Sequence, residues 1–286
     1  MRRAHGWPVA GFIAAYLMVA PAAAVPRHVV SAFLCTDEYV FRLLPRERIA
    51  ALSFLAADRN PVVSTIADAV KGIPLVHASA EEILSRNPDA VVLYAGTEPR
   101  LQAQLRAAGV PVIEVDWANS LADVRRITLG LGRTFGEEAR AQSLLAAMDR
   151  ELATARSSGP PLRTLIYEPN GYVTSDRVTG AMLKSAGLRD VAGGLGMLRD
   201  RTIPVEVVVA SPPQLLVLNS ADQRRPSLAN LVLHHPALSA LAAHTKIAHV
   251  SLTPLLCPGP WSADIVPQLV NVGEQARALA RLQARP

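Results

Sequence analysis

Much that would point to catalysis is missing from this chain. There is no G-x-S-x-G elbow, no P-loop, no H-E-x-x-H and no C-x-x-C, which removes the common serine hydrolase, nucleotide-phosphate and zinc signatures. The glycines near Gly193, Gly194 and Gly196 lack G-x-G-x-x-G spacing and follow no strand, so they read as a turn rather than a dinucleotide cradle. Aromatic residues make up 5% of the chain, too few for a wide base-stacking platform. Charged residues make up 19%, and the net charge of +5 falls to +3 without Arg2 and Arg3. The pairs Arg125-Arg126 and Arg224-Arg225 stand isolated, as on a solvated surface, so no nucleic-acid partner is expected. Beyond the first 24 residues no apolar run is long enough to span a membrane.

What is present begins with a leader. Arg2 and Arg3, the apolar run Val9 to Ala20 and the small residues Pro21-Ala22-Ala23-Ala24 read as a secretory signal peptide over 1–24. Export would put the two cysteines, Cys35 and Cys257, in an oxidising compartment. They could pair, remain free thiols or serve as soft metal ligands, and spacing alone does not choose among these.

The stretch Ser79 to Gly96 holds a capped helix, an Asn-Pro-Asp stop and the buried strand Ala90 to Tyr94. Ser79 and Glu82 form a capping-box pattern. A degraded copy runs from Pro204 to Ser220, aligning Glu81 with Glu206 and Pro88 with Pro213. Further strands are expected at His28 to Leu34, Arg48 to Ser53, Val110 to Val115, Arg163 to Tyr167 and Lys246 to Val250. Helices are expected from Thr36 to Leu44, Pro61 to Val70, Glu98 to Ala108 and Asp176 to Ala186, with a last one capped by Ser262. This alternation predicts an α/β fold with mostly parallel sheets. An N-terminal lobe over 25–120 and a C-terminal lobe over 159–286 are joined by one long helical segment over 121–158. Gly130, Gly132 and Gly136 weaken the middle of that segment, so a kink or break falls there.

Read in order, these stretches resemble the class III substrate-binding proteins of ABC importers, the vitamin B12-binding and ferric-siderophore-binding periplasmic proteins. The resemblance rests on Arg48 to Ser53, on Ala80 to Leu84 running into Pro88 to Val92, on Gly109 to Val112, and on Glu206 running into Pro213 to Val217. Three stretches depart from the pattern: Cys35-Thr36-Asp37 after the first strand, Pro212-Pro213-Gln214 in the second copy, and Cys257-Pro258-Gly259-Pro260-Trp261 before the last helix.

The resemblance implies two Rossmann-like lobes and a monomer that captures a corrinoid or ferric chelate in the periplasm. It also implies delivery to a membrane permease, with no intrinsic cofactor, no metal site and no catalysis. Glu81 and Glu206 match the positions that dock onto the permease, while Glu82 holds the helix start. Loops at the carboxyl ends of strands nominate Cys35, Phe54, Tyr94, Tyr172 and Trp261 for the ligand cleft, Trp261 as a stacking wall. A haem or metal-ion carrier is the near alternative, with Tyr94, Tyr167, Tyr172 or His77 as axial ligand. A secreted α/β enzyme using Asp37 or Asp58 is the distant one.

Overall fold

A computed structural model describes residues 25–60, 63–155, 157, 159–196, 201–220 and 227–283. The expected signal peptide lies outside the described residues. The first lobe holds β1 (Val29–Ser31), α1 (Leu34–Leu43), β2 (Ile49–Ser53), β3 (Leu75–Val76), α2 (Ala80–Leu84), β4 (Ala90–Tyr94), α3 (Pro99–Ala107) and β5 (Val112–Val115). Its sheet has the order β3-β2-β1-β4-β5, with every pairing parallel. Next come α4 (Leu121–Phe135) and α5 (Glu138–Thr154).

The second lobe holds β6 (Leu162–Tyr167), α6 (Arg177–Ser185), β7 (Leu188–Asp190), α7 (Val205–Ala210), β8 (Leu215–Asn219), α8 (Pro236–Ala240), β9 (Lys246–Val250), α9 (Thr253–Leu256) and α10 (Val266–Gln283). Its parallel sheet runs β7-β6-β8-β9. Strand order reverses between β1 and β4 in one lobe and between β6 and β8 in the other. Open sheets of this kind form their crevices outside the carboxyl ends of the strands at such points.

The duplicated unit is real in three dimensions. Every residue of β4 and of β8 is buried, which is why each reads as an unbroken apolar run. Ser79 Oγ accepts from Glu82 N at 3.5 Å. The reciprocal half of the expected capping box shifts by two residues, since Glu82 accepts from the backbone N of His77 at 2.7 Å.

The connection between lobes is helical but not one helix. Gly136 adopts φ +66°, a left-handed turn that ends α4 as a C′ glycine does, and α5 folds back along it. Arg125 of α4 forks onto Asp149 of α5, with Nη1–Oδ2 at 3.0 Å. A Cβ on Gly132 would come within 2.6 Å of Ala141 Cβ, so the hairpin needs that glycine for its close approach. One continuous apolar cluster runs through both lobes. It contains Tyr39 of α1, Phe135 of α4, Met148 of α5, Met182 of α6 and Leu269 of α10.

Three local expectations are corrected. The described part of 61–70 forms turns rather than a helix. Helix α1 starts two residues before Thr36, so Cys35 lies inside a helix and not in a loop. Ser262 sits within a 3-10 segment, Pro260–Ile265, where its Oγ accepts from Gly259 N at 3.2 Å and donates to Pro254 O at 2.9 Å.

Candidate ligand cleft

A cavity of about 550 Å³ lies at the carboxyl ends of the strands and is lined from both lobes. That volume suits a small-molecule site. Trp117, Ala118 and Asn119, just past β5, contribute from the first lobe. The loop after β6 contributes Glu168, Pro169, Tyr172, Thr174 and Asp176, and Arg201 stands beside them. Asn219 at the end of β8 and the segment from Leu252 to Pro258 complete it.

Two rings face this space. Trp117 is 47% exposed and stacks on Tyr94, with ring centres 4.1 Å apart and planes within 7°. Phe33 meets both rings edge-on. Tyr94, at the end of β4, is buried behind Trp117, and burial pushes its phenol up to about 12. Tyr94 therefore backs the wall instead of forming it. Trp117 is the residue missed from the sequence, although the strand-end rule that nominated Tyr94 applies equally to a ring two residues past β5. Tyr172 is 37% exposed, lines the cavity as expected, and lies under the Arg201 guanidinium at 5.7 Å from its ring centre.

The other nominated residues go elsewhere. Trp261 is 4% exposed, which removes it from the cleft surface. Its indole donates to Cys257 O at 2.8 Å, and its ring packs edge-on against Tyr39 with Arg42 above it. Phe54 is exposed but packs on His77 at 4.7 Å, away from the cavity lining. Tyr167 is buried and donates to Ile203 O at 2.9 Å. Asp58 accepts from Asn60 N in a tight turn.

Asp37 is fully buried and accepts from Ser53 N and from Ser53 Oγ. Burial, only partly offset by these bonds, pushes its carboxyl up to about 8. Asp37 therefore fastens α1 to the end of β2 and stands away from the cavity.

Cys35 and Cys257 form a disulfide, with Cα atoms 5.0 Å apart and 222 residues of separation. Both are buried, so neither offers a thiol to the cleft. One helical turn on, Tyr39 donates to Pro258 O at 3.2 Å. Cysteine, tyrosine and arginine at 35, 39 and 42 thus form one face of α1 against the 257–261 segment of the other lobe. That segment adjoins Leu255, Leu256 and Pro258 of the cavity lining.

Glu81 and Glu206 are both exposed. Each is the second residue of its helix, α2 or α7, and each helix leads into a buried strand. Among the described residues no group of three or more His, Cys, Asp or Glu is placed to hold a metal ion. No helix among them is long and apolar enough to cross a membrane.

Two parallel-sheet lobes meeting over an aromatic-walled cavity define a two-lobed ligand-binding protein. The chain belongs to the periplasmic binding protein family, whose model matches residues 56–250. Solved structures share the fold. The heme-binding protein RhuT from Roseiflexus sp. RS-1 is 23% identical, with a TM-score of 0.65 over 87% of this chain and 98% of that one. The vitamin B12 binding protein BtuF of Vibrio cholerae is 15% identical, with a TM-score of 0.60 over 88% and 98%. An ABC-type Fe3+-hydroxamate transport system structure from Saccharomonospora viridis is 20% identical, with a TM-score of 0.61 over 87% and 93%. A curated sequence, the DNA mismatch repair protein MutL of Deinococcus radiodurans, is 27% identical over 261 residues. Those residues are 87% of this chain but 45% of that protein, so the chain spans less than half the length of the curated relative it matches.

Proposed function

We propose that this protein captures a metal chelate of the corrinoid or ferric-siderophore class in the periplasm and hands it to the permease of an ABC importer. The observation that carries the reading is Trp117. A large flat ring, half exposed and held rigid by Tyr94 behind it, walls a cavity shared by both lobes. An aromatic face of this kind gives a broad apolar contact to a planar ligand at little conformational cost. The fold is shared with RhuT, a heme-binding protein, with BtuF, a vitamin B12 binding protein, and with a structure of an Fe3+-hydroxamate transport system, which supports the reading by likeness. Glu81 and Glu206 are the proposed docking points. An exposed acid at the start of a short helix in each lobe gives two charged marks that fix orientation and speed encounter.

Haem is the second reading, favoured by one observation: the Tyr172 phenol is exposed at the cavity, where an axial oxygen ligand would be needed. The test is native mass spectrometry and an absorption spectrum of protein purified from its own periplasm. A corrin or ferric-chelate band supports the first reading and a Soret band the second. Turnover of a cleft-bound compound would defeat both.

A further inference from the structure

The cavity is lined by three charged side chains among the described residues, Glu168, Asp176 and Arg201. Two of them are already engaged. Glu168 accepts from the Thr174 hydroxyl. Asp176 caps α6, accepting from Thr179 N at 2.8 Å and from Thr179 Oγ1 at 2.9 Å. Arg201 differs. Its Nε is buried with no hydrogen-bond partner, and among the described residues no carboxylate pairs with its guanidinium. Among the described residues its side chain meets the face of Tyr172. The backbone also sits at φ +63°, a left-handed conformation that is uncommon for a non-glycine residue. Backbone hydrogen bonds hold it there: Arg201 O accepts from Val173 N at 2.9 Å, and Ile203 N donates to Gly171 O at 2.8 Å, so the segment is clamped against the Tyr172 loop.

A buried donor left without a partner costs free energy unless something outside the free protein satisfies it. A guanidinium presents a planar fork that matches carboxylate and phosphate oxygens. We infer that Arg201 is the anion anchor of the cleft, and that the captured chelate carries a carboxylate or phosphate group near its metal-binding ring. This deepens the capture reading and rests on it. It separates chelates with an anionic arm from trihydroxamate chelates, which offer Arg201 only the weaker metal-bound hydroxamate oxygens and no free carboxylate or phosphate for its fork.

The test measures binding of three probes to the full chain and to the Arg201→Gln and Arg201→Lys variants. Haemin carries carboxylates, cyanocobalamin carries a phosphodiester, and ferrioxamine B has no anionic arm. The expected result is binding of haemin or cyanocobalamin that weakens about tenfold or more in Arg201→Gln. Arg201→Lys should recover part of the loss, because it keeps the charge and loses the fork. Binding of ferrioxamine B, if any, should change by less than about threefold among the three proteins, because only weaker acceptors face Arg201. Equal weakening toward all probes would mean that Arg201 only supports the Tyr172 loop, and it would overturn the inference. So would unchanged haemin and cyanocobalamin binding in Arg201→Gln, or capture of ferrioxamine B alone. If the native protein binds none of the three, capture of these chelates fails by itself. Pyrophosphate then decides on Arg201: it must raise the melting temperature of the native protein and not that of Arg201→Gln, and equal behaviour overturns the anchor.

Discussion

Replacing Cys35 and Cys257 together by serine removes a covalent tie across 222 residues of chain. In the chain-entropy account, a cross-link stabilises by restricting the unfolded ensemble, and the effect grows with the logarithm of the closed loop. A 100-residue loop gives about 4.7 kcal/mol, so this one gives about 5 kcal/mol, while measured bridges deliver about 2–4 kcal/mol. Against a total stability of about 5–15 kcal/mol, that is a large share. The native state should change little, because Tyr39, Arg42 and Trp261 hold the same surface without the bridge. Urea unfolding of the oxidised protein, the reduced protein and the double serine variant measures the effect, with near-ultraviolet circular dichroism as the check on native packing. The latter two should unfold at clearly lower urea, by matching amounts, with native spectra preserved. Coincident midpoints in all three samples would refute the reasoning, because they would mean that the unfolded chain gains no freedom from losing the bridge.

Glu81→Ala with Glu206→Ala should leave ligand binding intact and abolish uptake in a transport assay, and unchanged uptake would remove both residues from docking. Trp117→Ala should weaken the ligand recovered from the periplasm by about 2 kcal/mol, roughly thirtyfold, with Trp117→Phe intermediate; equal affinities by titration would dismiss the stacking wall. Asp37 gives a pH dependence. Its carboxyl is raised by burial from 3.8 to about 8, so the stability tied to it is fully present below pH 3.8 and is lost as pH rises through about 8. Urea midpoints at pH 5 and 8.5 should therefore fall more for the native protein than for Asp37→Asn, and parallel pH profiles would contradict the buried-acid assignment.

The parts of the fold that were legible in the sequence are those decided locally. Strand β4 is fully buried and bounded by Pro88 and Gly96, so its apolar run marks it from end to end. The weak point of the helical segment was also readable, since Gly136 is the residue that turns left-handed. Strand β7, Leu188–Asp190, was missed because an arginine and an aspartate on a three-residue edge strand carry no alternating pattern. The cleft was legible as a location more than as a set of side chains. Tyr172 follows from the strand-end rule. Trp261 obeys a similar rule and still ends in the core, because Tyr39 and Arg42 from the other lobe cover it. Whether a ring in a Pro/Gly loop faces solvent or a neighbouring lobe is a tertiary fact. Trp117 and Arg201 gain their meaning from what stands behind or beside them, Tyr94 in one case and an empty set of carboxylates among the described residues in the other.

The cysteine pair also bears on how the protein matures. Within these 286 residues there are two cysteines and both are in the bridge, so a single intramolecular connectivity exists. Oxidation within one chain cannot scramble, and no isomerase step is required to correct it. The bond joins an early helix to a segment near the end of the second lobe, and the docked lobes hold the two Cα atoms 5.0 Å apart, within the range a disulfide needs. Docking raises the effective concentration of one thiol at the other, so the reduced chain should oxidise faster under native conditions than in urea, and the ratio of the two rates reads how firmly the lobes hold that contact.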